Sequence, residues 1–225
     1  MVNFANFDKY AVATDIVIFT IKNDDLKVLL IKRKNQPFKN MWAIPGGFVR
    51  QNESVDVAAI RELKEETGVS SVYIEQLYTY GEIDRDPRGR VISVAYFAIL
   101  NGSDKVKLKA TTDALDVGWF SVLYLPDLAF DHKKIIEYAK LRLKYKLEYT
   151  VTGFQLIPRE FTLSELQKVY EIVLGHKFDK RNFWKKIKQL DIVESIDKEK
   201  KDGAHRPAKI YKLKREKYTF PRSII

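Results

Sequence analysis

The stretch that decides the fold is Gly47-Phe48-Val49-Arg50-Gln51-Asn52-Glu53-Ser54, continued by Val55 to Ile60 and by Arg61-Glu62-Leu63-Lys64-Glu65-Glu66-Thr67-Gly68-Val69. Gly46 and Gly47 permit a tight loop, Ser54 is placed to cap a helix with Asp56 in its first turn, and Gly68 is placed to end it. At about 100° per residue, Glu62, Glu65 and Glu66 share one sector of roughly 100°, and Ala59, Ile60, Leu63 and Thr67 fill the neighbouring apolar sector. One face packs and the other presents three carboxylates. Clustered like charges repel unless a cation lies among them, and carboxylate oxygens suit hard ions such as Mg²⁺, Mn²⁺ or Ca²⁺. The plainer reading of the same residues is a solvated acidic face satisfied by i,i+4 pairs, for instance Arg61 with Glu65.

At every defining position the stretch resembles the Nudix box: Gly47, Glu53, Arg61, Glu62, Glu65, Glu66 and Gly68, with hydrophobic Leu63 and Val69. The resemblance implies an α/β fold, an α/β/α sandwich whose family members hydrolyse a nucleoside diphosphate linked to another group. It also implies that Glu62, Glu65 and Glu66 are the catalytic and metal-binding carboxylates, with Mg²⁺ or Mn²⁺ as the expected ion, while Gly47, Glu53 and Arg61 support the box. The chemistry would be metal-assisted substitution at phosphorus, in which the ion neutralises developing charge and lowers the pKa of a bound water.

The chain has 225 residues, 45% of them hydrophobic, enough for one large domain or two small ones. Zero cysteines exclude disulfides, thiolate catalysis and Cys-based zinc sites. The amino terminus shows neither a secretory signal nor any apolar run of roughly 18 residues, so a cytoplasmic protein without membrane contact is expected. The net charge of +10 is unevenly spread: residues 1–149 hold 22 Lys and Arg against 20 Asp and Glu, residues 150–225 hold 18 against 10. Such a shift points to a separate carboxy-terminal module with a polyanionic partner, against the plainer alternative of a Lys-rich solvated surface.

Ala11 to Ile21 and Lys27 to Lys32 read as buried strands joined at Asn23-Asp24-Asp25, Val91 to Leu100 as a third and Asp116 to Ser121 as a shorter one. A helix of roughly 15 residues, capped near Asp131 and running toward Lys146, completes the first domain. The charged, turn-rich segment Gly81 to Arg90 is expected to line a pocket, with Arg85, Arg88 and Arg90 offering forked donors to phosphate or sugar hydroxyls. Its alternative is a solvent loop cross-linked by its own ion pairs. His132, at a helix start, reads more readily as surface chemistry than as a ligand contact.

Thr150 to Ile157 reads as a strand ended by Pro158, which puts the domain boundary near residue 150. Thr162-Leu163-Ser164-Glu165 fits a capping box for a helix with the apolar stripe Leu163, Leu166, Tyr170, Val173 and Leu174, closed by Gly175. Asp179 is placed to cap a second helix, Lys180 to Leu190, in which Phe183, Ile187 and Leu190 face inward. Arg181, Lys185, Lys188 and Gln189 spread over its opposite face with Asn182 at the edge. Two short strands follow, around Ile192 to Ile196 and Ala208 to Leu213, joined by a basic loop carrying His205 and Arg206. Helix, helix and hairpin make a winged helix-turn-helix. Its DNA contacts are expected from Arg181, Asn182, Lys185, Lys188, His205, Arg206 and Lys209, with Arg181 and Asn182 reading base edges and the lysines meeting phosphates. Trp184 supports the helix or touches sugar. A protein docking unit is the alternative use of such a module.

A Nudix domain (1–149) followed by FTLSELQKVYE, DKRNFWKKI and HRPAKIYKL in 150–225 resembles the Nudix-related transcriptional regulators of bacteria. The resemblance implies a ligand-responsive regulator that binds double-stranded operator DNA through the winged helix, needs no cofactor to do so, and acts as a homodimer. It implies a small effector in the Nudix domain, either ADP-ribose or a pentose such as arabinose. Many members of that family have a degraded box; here the box is complete, so a Mg²⁺-dependent hydrolase of ADP-ribose or another nucleoside diphosphate derivative is the second expectation.

Overall fold

The computed structural model describes residues 8–68, 72–101, 114–200 and 207–214. Strand β1 (Ala11–Lys22) buries every residue from Thr14 to Thr20 without alternation, as a strand covered on both faces must, and β2 (Asp25–Arg33) does the same from Val28 to Ile31. Asn23 and Asp24 join them with φ of 55° and 59°, the left-handed pair that a two-residue hairpin turn needs and that Asn and Asp tolerate. Short strands β3 (Trp42–Ala43) and β4 (Gly46–Phe48) precede helix α1 (Val55–Thr67). Strands β5 (Tyr73–Tyr80), β6 (Val91–Ile99) and β7 (Ala114–Ser121) lead to helix α2 (His132–Tyr149). The sheet order is β3-β2-β1-β6-β5, with β4 pairing to β1 and β7 to β2.

The local signals for α1 act as expected. Ser54 accepts from the Val57 amide at 3.2 Å, and Gly68, at φ 71°, donates its N–H to the Lys64 carbonyl. The apolar sector differs from expectation, since α1 buries Ala58, Ala59 and Leu63 but leaves Ile60 44% exposed. Strand β5 has no counterpart among the expected elements. It lies at the sheet edge and fully buries only Leu77 and Tyr80, so its sequence carries little hydrophobic pattern.

Packing divides the described residues into two compact units, the first comprising 8–19, 28–68, 72–98 and 114–139, the second 20–27, 99–101, 140–200 and 207–214. The carboxy-terminal stretch of the second unit starts inside α2, at Lys140. The reason is local: Lys144 reaches the Leu174 carbonyl at 3.5 Å, and a Cβ on Gly153 would stand 3.2 Å from both Leu147 and Tyr170.

The expected strand at Thr150 to Ile157 is instead a 3-10 helix, Val151–Leu156. Thr150 decides this. Its hydroxyl donates to the Lys146 carbonyl at 2.6 Å, closing α2, and accepts from the Thr152 amide at 3.2 Å, starting the tighter turn. Helix α3 (Leu163–Leu174) has its capping box complete, with Glu165 accepting from the Thr162 amide at 2.7 Å and Thr162 accepting from the Glu165 amide at 3.2 Å. Gly175 closes it at φ 81°. Val169 rather than Leu174 completes the fully buried stripe. Asp179 caps α4 (Lys180–Gln189) by accepting from Asn182, and Phe183 packs edge-on against Tyr170 at 5.4 Å. Strands β8 (Val193–Lys200) and β9 (Ala208–Leu213) pair antiparallel, and Phe161 exchanges two backbone hydrogen bonds with Tyr211, adding a short third rung. Among the described residues no helix is long and apolar enough to cross a membrane.

Candidate functional site

In the first unit a cavity of about 560 Å³ opens beside the box. Its size suits a small ligand. The glycines are required by close approach: a Cβ on Gly47 would stand 2.1 Å from Glu62 Oε1, and one on Gly46 2.2 Å from the Thr14 carbonyl oxygen. Arg61 is the hub of the box. Its Nε and one terminal nitrogen donate to the two oxygens of Glu53 at 3.0 and 2.7 Å, and its other terminal nitrogen donates to Glu62 at 2.6 Å and Glu65 at 3.4 Å. Glu53 also accepts from the Arg50 amide at 2.9 Å, which ties the loop to the helix. The Arg61 guanidinium holds the Glu53 carboxyl down to about 2, and burial pushes that of Glu62 upward against the pull of Arg61.

Three outward carboxylates were expected. Instead Glu62 and Glu66 are buried and only Glu65 reaches solvent, pairing with Arg61 and, at 3.6 Å, with Arg50. Among the described residues no three His, Asp or Glu side chains converge closely enough to hold a metal ion. In this arrangement an arginine occupies the middle of the carboxylate set, held by Glu62 and Glu65.

The arginine loop separates into three fates. Arg85 is buried, with a side chain 4% exposed, and donates to both oxygens of Asp131 at 3.1 and 2.8 Å and to Asp15 at 3.2 Å. It lines the cavity as part of the floor, with Nε and one terminal nitrogen engaged by carboxylates. Arg88 also lines the cavity, clasped by Asp86 through two side-chain bonds of 3.0 and 2.7 Å. Arg90 does not line it; its guanidinium lies 5.7 Å from the Tyr10 ring. Of the three arginines expected to offer forked donors, Arg85 and Arg88 line the cavity, and the ion pair within the loop that was the alternative is present between Asp86 and Arg88.

His132 is also corrected, from surface residue to buried cavity residue: its Nδ1 accepts from the Ile44 amide at 3.1 Å, and burial pushes its pKa down, so the ring is neutral with its proton on Nε2 toward Asp15, 3.6 Å away. Asp15, Ser93, Arg33, Phe48 and Phe130 escaped the sequence reading because each belongs to a strand or loop whose own pattern explains it.

The second unit presents a different surface. Arg181, Asn182, Lys185, Lys188 and Gln189 are all exposed on α4, while Phe183 and Ile187 are buried beneath them. Lys180 lies 4.7 Å from the ring of half-buried Trp184. A basic hollow of about 860 Å³ between α3, α4 and the hairpin is lined by Lys168, Lys180, Lys188, Lys200 and Lys209. His205, Arg206 and Val69 lie outside the described residues.

Residues 9–139 match the NUDIX domain family, and residues 153–213 match the NrtR DNA-binding winged helix domain. The ADPR responsive transcriptional repressor NtrR of Acinetobacter baylyi is 39% identical over 209 residues, covering 92% of this chain and 83% of that protein. The chain belongs to the NrtR family. Its structure is similar to the crystal structure of Shewanella oneidensis NrtR complexed with a 27mer DNA, with a TM-score of 0.82 and 36% identity over 94% of this chain and 98% of that one. The Nudix domain of the same protein, solved as a cocrystal with ADP ribose, covers 62% of this chain and 96% of its own, at a TM-score of 0.54 and 39% identity. The ADP-ribose pyrophosphatase of Methanocaldococcus jannaschii is 48% identical over 127 residues, covering 56% of this chain and 71% of that protein. The α/β Nudix fold followed by a winged helix is thus what sequence, structure and relatives all give. Nudix membership implies divalent-metal use in those members that hydrolyse.

Proposed function

We propose that the chain is an ADP-ribose-responsive transcriptional repressor of the cytoplasm, with residues 1–149 taking the effector and residues 150–225 holding operator DNA. The observation that carries this reading is that α4 leaves Arg181, Asn182, Lys185 and Lys188 free to meet a duplex while burying only its apolar side. ADP-ribose is supported by the repressor of Acinetobacter baylyi and by the Shewanella oneidensis cocrystal; the pentose alternative, arabinose, is not. Arg50 and Arg88 supply positive charge toward a diphosphate in the cavity. A single α4 covers only a short half-site, so a two-fold homodimer supplies the second. Release requires ADP-ribose to bind the DNA-free arrangement more tightly than the DNA-bound one.

The complete box and the 48% identical pyrophosphatase favour a second reading, hydrolysis of ADP-ribose with Mg²⁺. One experiment separates them. Incubated with ADP-ribose and Mg²⁺, the wild-type protein is expected to show a raised Tm, since a ligand at about 100 times its Kd stabilises the native state by roughly 2.7 kcal/mol, and to return the ligand intact. Release of AMP and ribose 5-phosphate that disappears on Glu65→Gln would instead establish turnover, and an unmoved Tm would remove ADP-ribose as the effector.

A further inference from the structure

The cavity contains an aromatic surface made by Phe48 and Phe130, of which Phe130 packs against a core cluster of Ile31, Ala43, Ala114 and Ala129 while Phe48 stays exposed. Phe48, the last residue of β4, lines the cavity yet leaves 45% of its surface open. A single exposed phenylalanine on a convex surface asks for no explanation, but this ring stands inside a concavity walled by charged side chains. The Arg88 guanidinium carbon lies 5.1 Å from its centroid and 5.8 Å from that of Phe130, and Arg33 lies 4.8 Å from Phe130. Asp86 fixes Arg88 through its Nε and a terminal nitrogen, so the guanidinium is held in place rather than swinging freely. Phe130 is held in turn, with Phe38 edge-on at 4.8 Å and the His132 ring at 5.2 Å, and it keeps a left-handed φ of 53° that is rare for a bulky residue.

The chemistry of these planes is selective. Phenyl faces and guanidinium planes both attract flat, polarisable rings, whereas a ribose or a diphosphate presents no flat face to either. An effector covering Phe48 would remove from water an apolar surface the fold leaves wet, and its phosphates would meet the neighbouring cations of the same cavity.

We propose that Phe48 and Arg88 form the base platform of the effector cavity, on which the purine of a nucleoside-diphosphate sugar stacks, making the base rather than the terminal sugar the part that the cavity selects. The inference rests on the effector reading above. It assigns Phe48 a binding role separate from that of the neighbouring Gly47, which makes room for Glu62.

The test is calorimetric titration of ADP-ribose, AMP and ribose 5-phosphate into the wild-type protein, Phe48→Leu and Phe48→Tyr, with thermal unfolding of each variant to establish that it folds. AMP and ribose 5-phosphate differ by the base alone. Wild type is expected to bind AMP and ADP-ribose and to bind ribose 5-phosphate far more weakly or not at all. Phe48→Leu is expected to lose roughly tenfold in affinity for both base-bearing ligands, the scale of one base–aromatic stack, and Phe48→Tyr to keep it. ADP-ribose bound equally well by wild type and Phe48→Leu would overturn the platform while leaving the effector reading standing, as would ribose 5-phosphate binding as tightly as AMP. Failure of wild type to bind ADP-ribose would overturn both.

Discussion

Arg85→Met is expected to destabilise the first unit by about 3–5 kcal/mol, the range seen when one member of a buried ion pair is removed and its partners are left behind. The Arg85 side chain is 4% exposed, and the carboxylates it serves, Asp15 and Asp131, are 11% and 18% exposed. Ser93 donates to Asp15 at 2.5 Å, but a hydroxyl brings no compensating charge. His132, the other cationic candidate beside Asp15, has its pKa pushed down by burial, which opposes its taking up the charge that Arg85 carried. Methionine fills much of the same space, so the loss reports uncompensated charge rather than an open cavity. Arg85→Lys restores charge without the fork and is expected to fall between the two. Urea denaturation followed by circular dichroism reads the effect; a wild-type midpoint for Arg85→Met would mean that this network does not hold the loop in place.

Removal of Arg181 is expected to cost about 1–3 kcal/mol at a cognate duplex and to relax discrimination at the base it contacts, since a side chain at the amino-terminal end of a recognition helix reads base edges. Lys188→Gln belongs to a different class. It is expected to weaken cognate and unrelated duplexes alike and to reduce the slope of log affinity against log salt by about one, as one phosphate contact and its released counterion are lost. Both residues are exposed on α4 and neither belongs to its buried side, so unfolding does not confound the comparison. Band-shift titrations at several salt concentrations distinguish the two patterns. An Arg181→Ala protein with wild-type affinity and specificity would mean that α4 is not the reading helix.

What could be read from the chain divides by the range of the interactions concerned. Ser54, Gly68, the Thr162 and Glu165 pair, Gly175 and Asp179 all act within a few residues of themselves, so the bounds of α1, α3 and α4 follow from short patterns. The pairing of Glu53 with Arg61 is equally local. The floor of the cavity is not: Arg85 meets Asp15 and Asp131 across 70 and 46 positions, and His132 meets the Ile44 amide across 88. No periodicity records such meetings. Their places in the buried floor of the cavity, for Arg85 and His132 alike, follow from these distant partners and not from any local pattern.

Other departures arose from competition between local signals. The β-branched run from Thr150 suggested a strand, but the Thr150 hydroxyl satisfies both the end of α2 and the start of a 3-10 turn, and that capping outweighs a weak strand propensity. The three acidic residues of α1 do share a face, as their spacing requires, but Arg61 draws Glu62 and Glu65 toward itself, so the i,i+4 pairing described as the plainer reading is also present.

One ligand in the Nudix cavity is expected to govern the grip of the winged helix on DNA. Fluorescence anisotropy of the full chain on a duplex selected from random sequence, titrated with ADP-ribose, reads this coupling. The complex is expected to dissociate, with affinity for the duplex falling by roughly 5- to 150-fold at saturating ADP-ribose, the usual span of coupling between two sites. An anisotropy that stays at its bound value while calorimetry shows ADP-ribose in the cavity would contradict it.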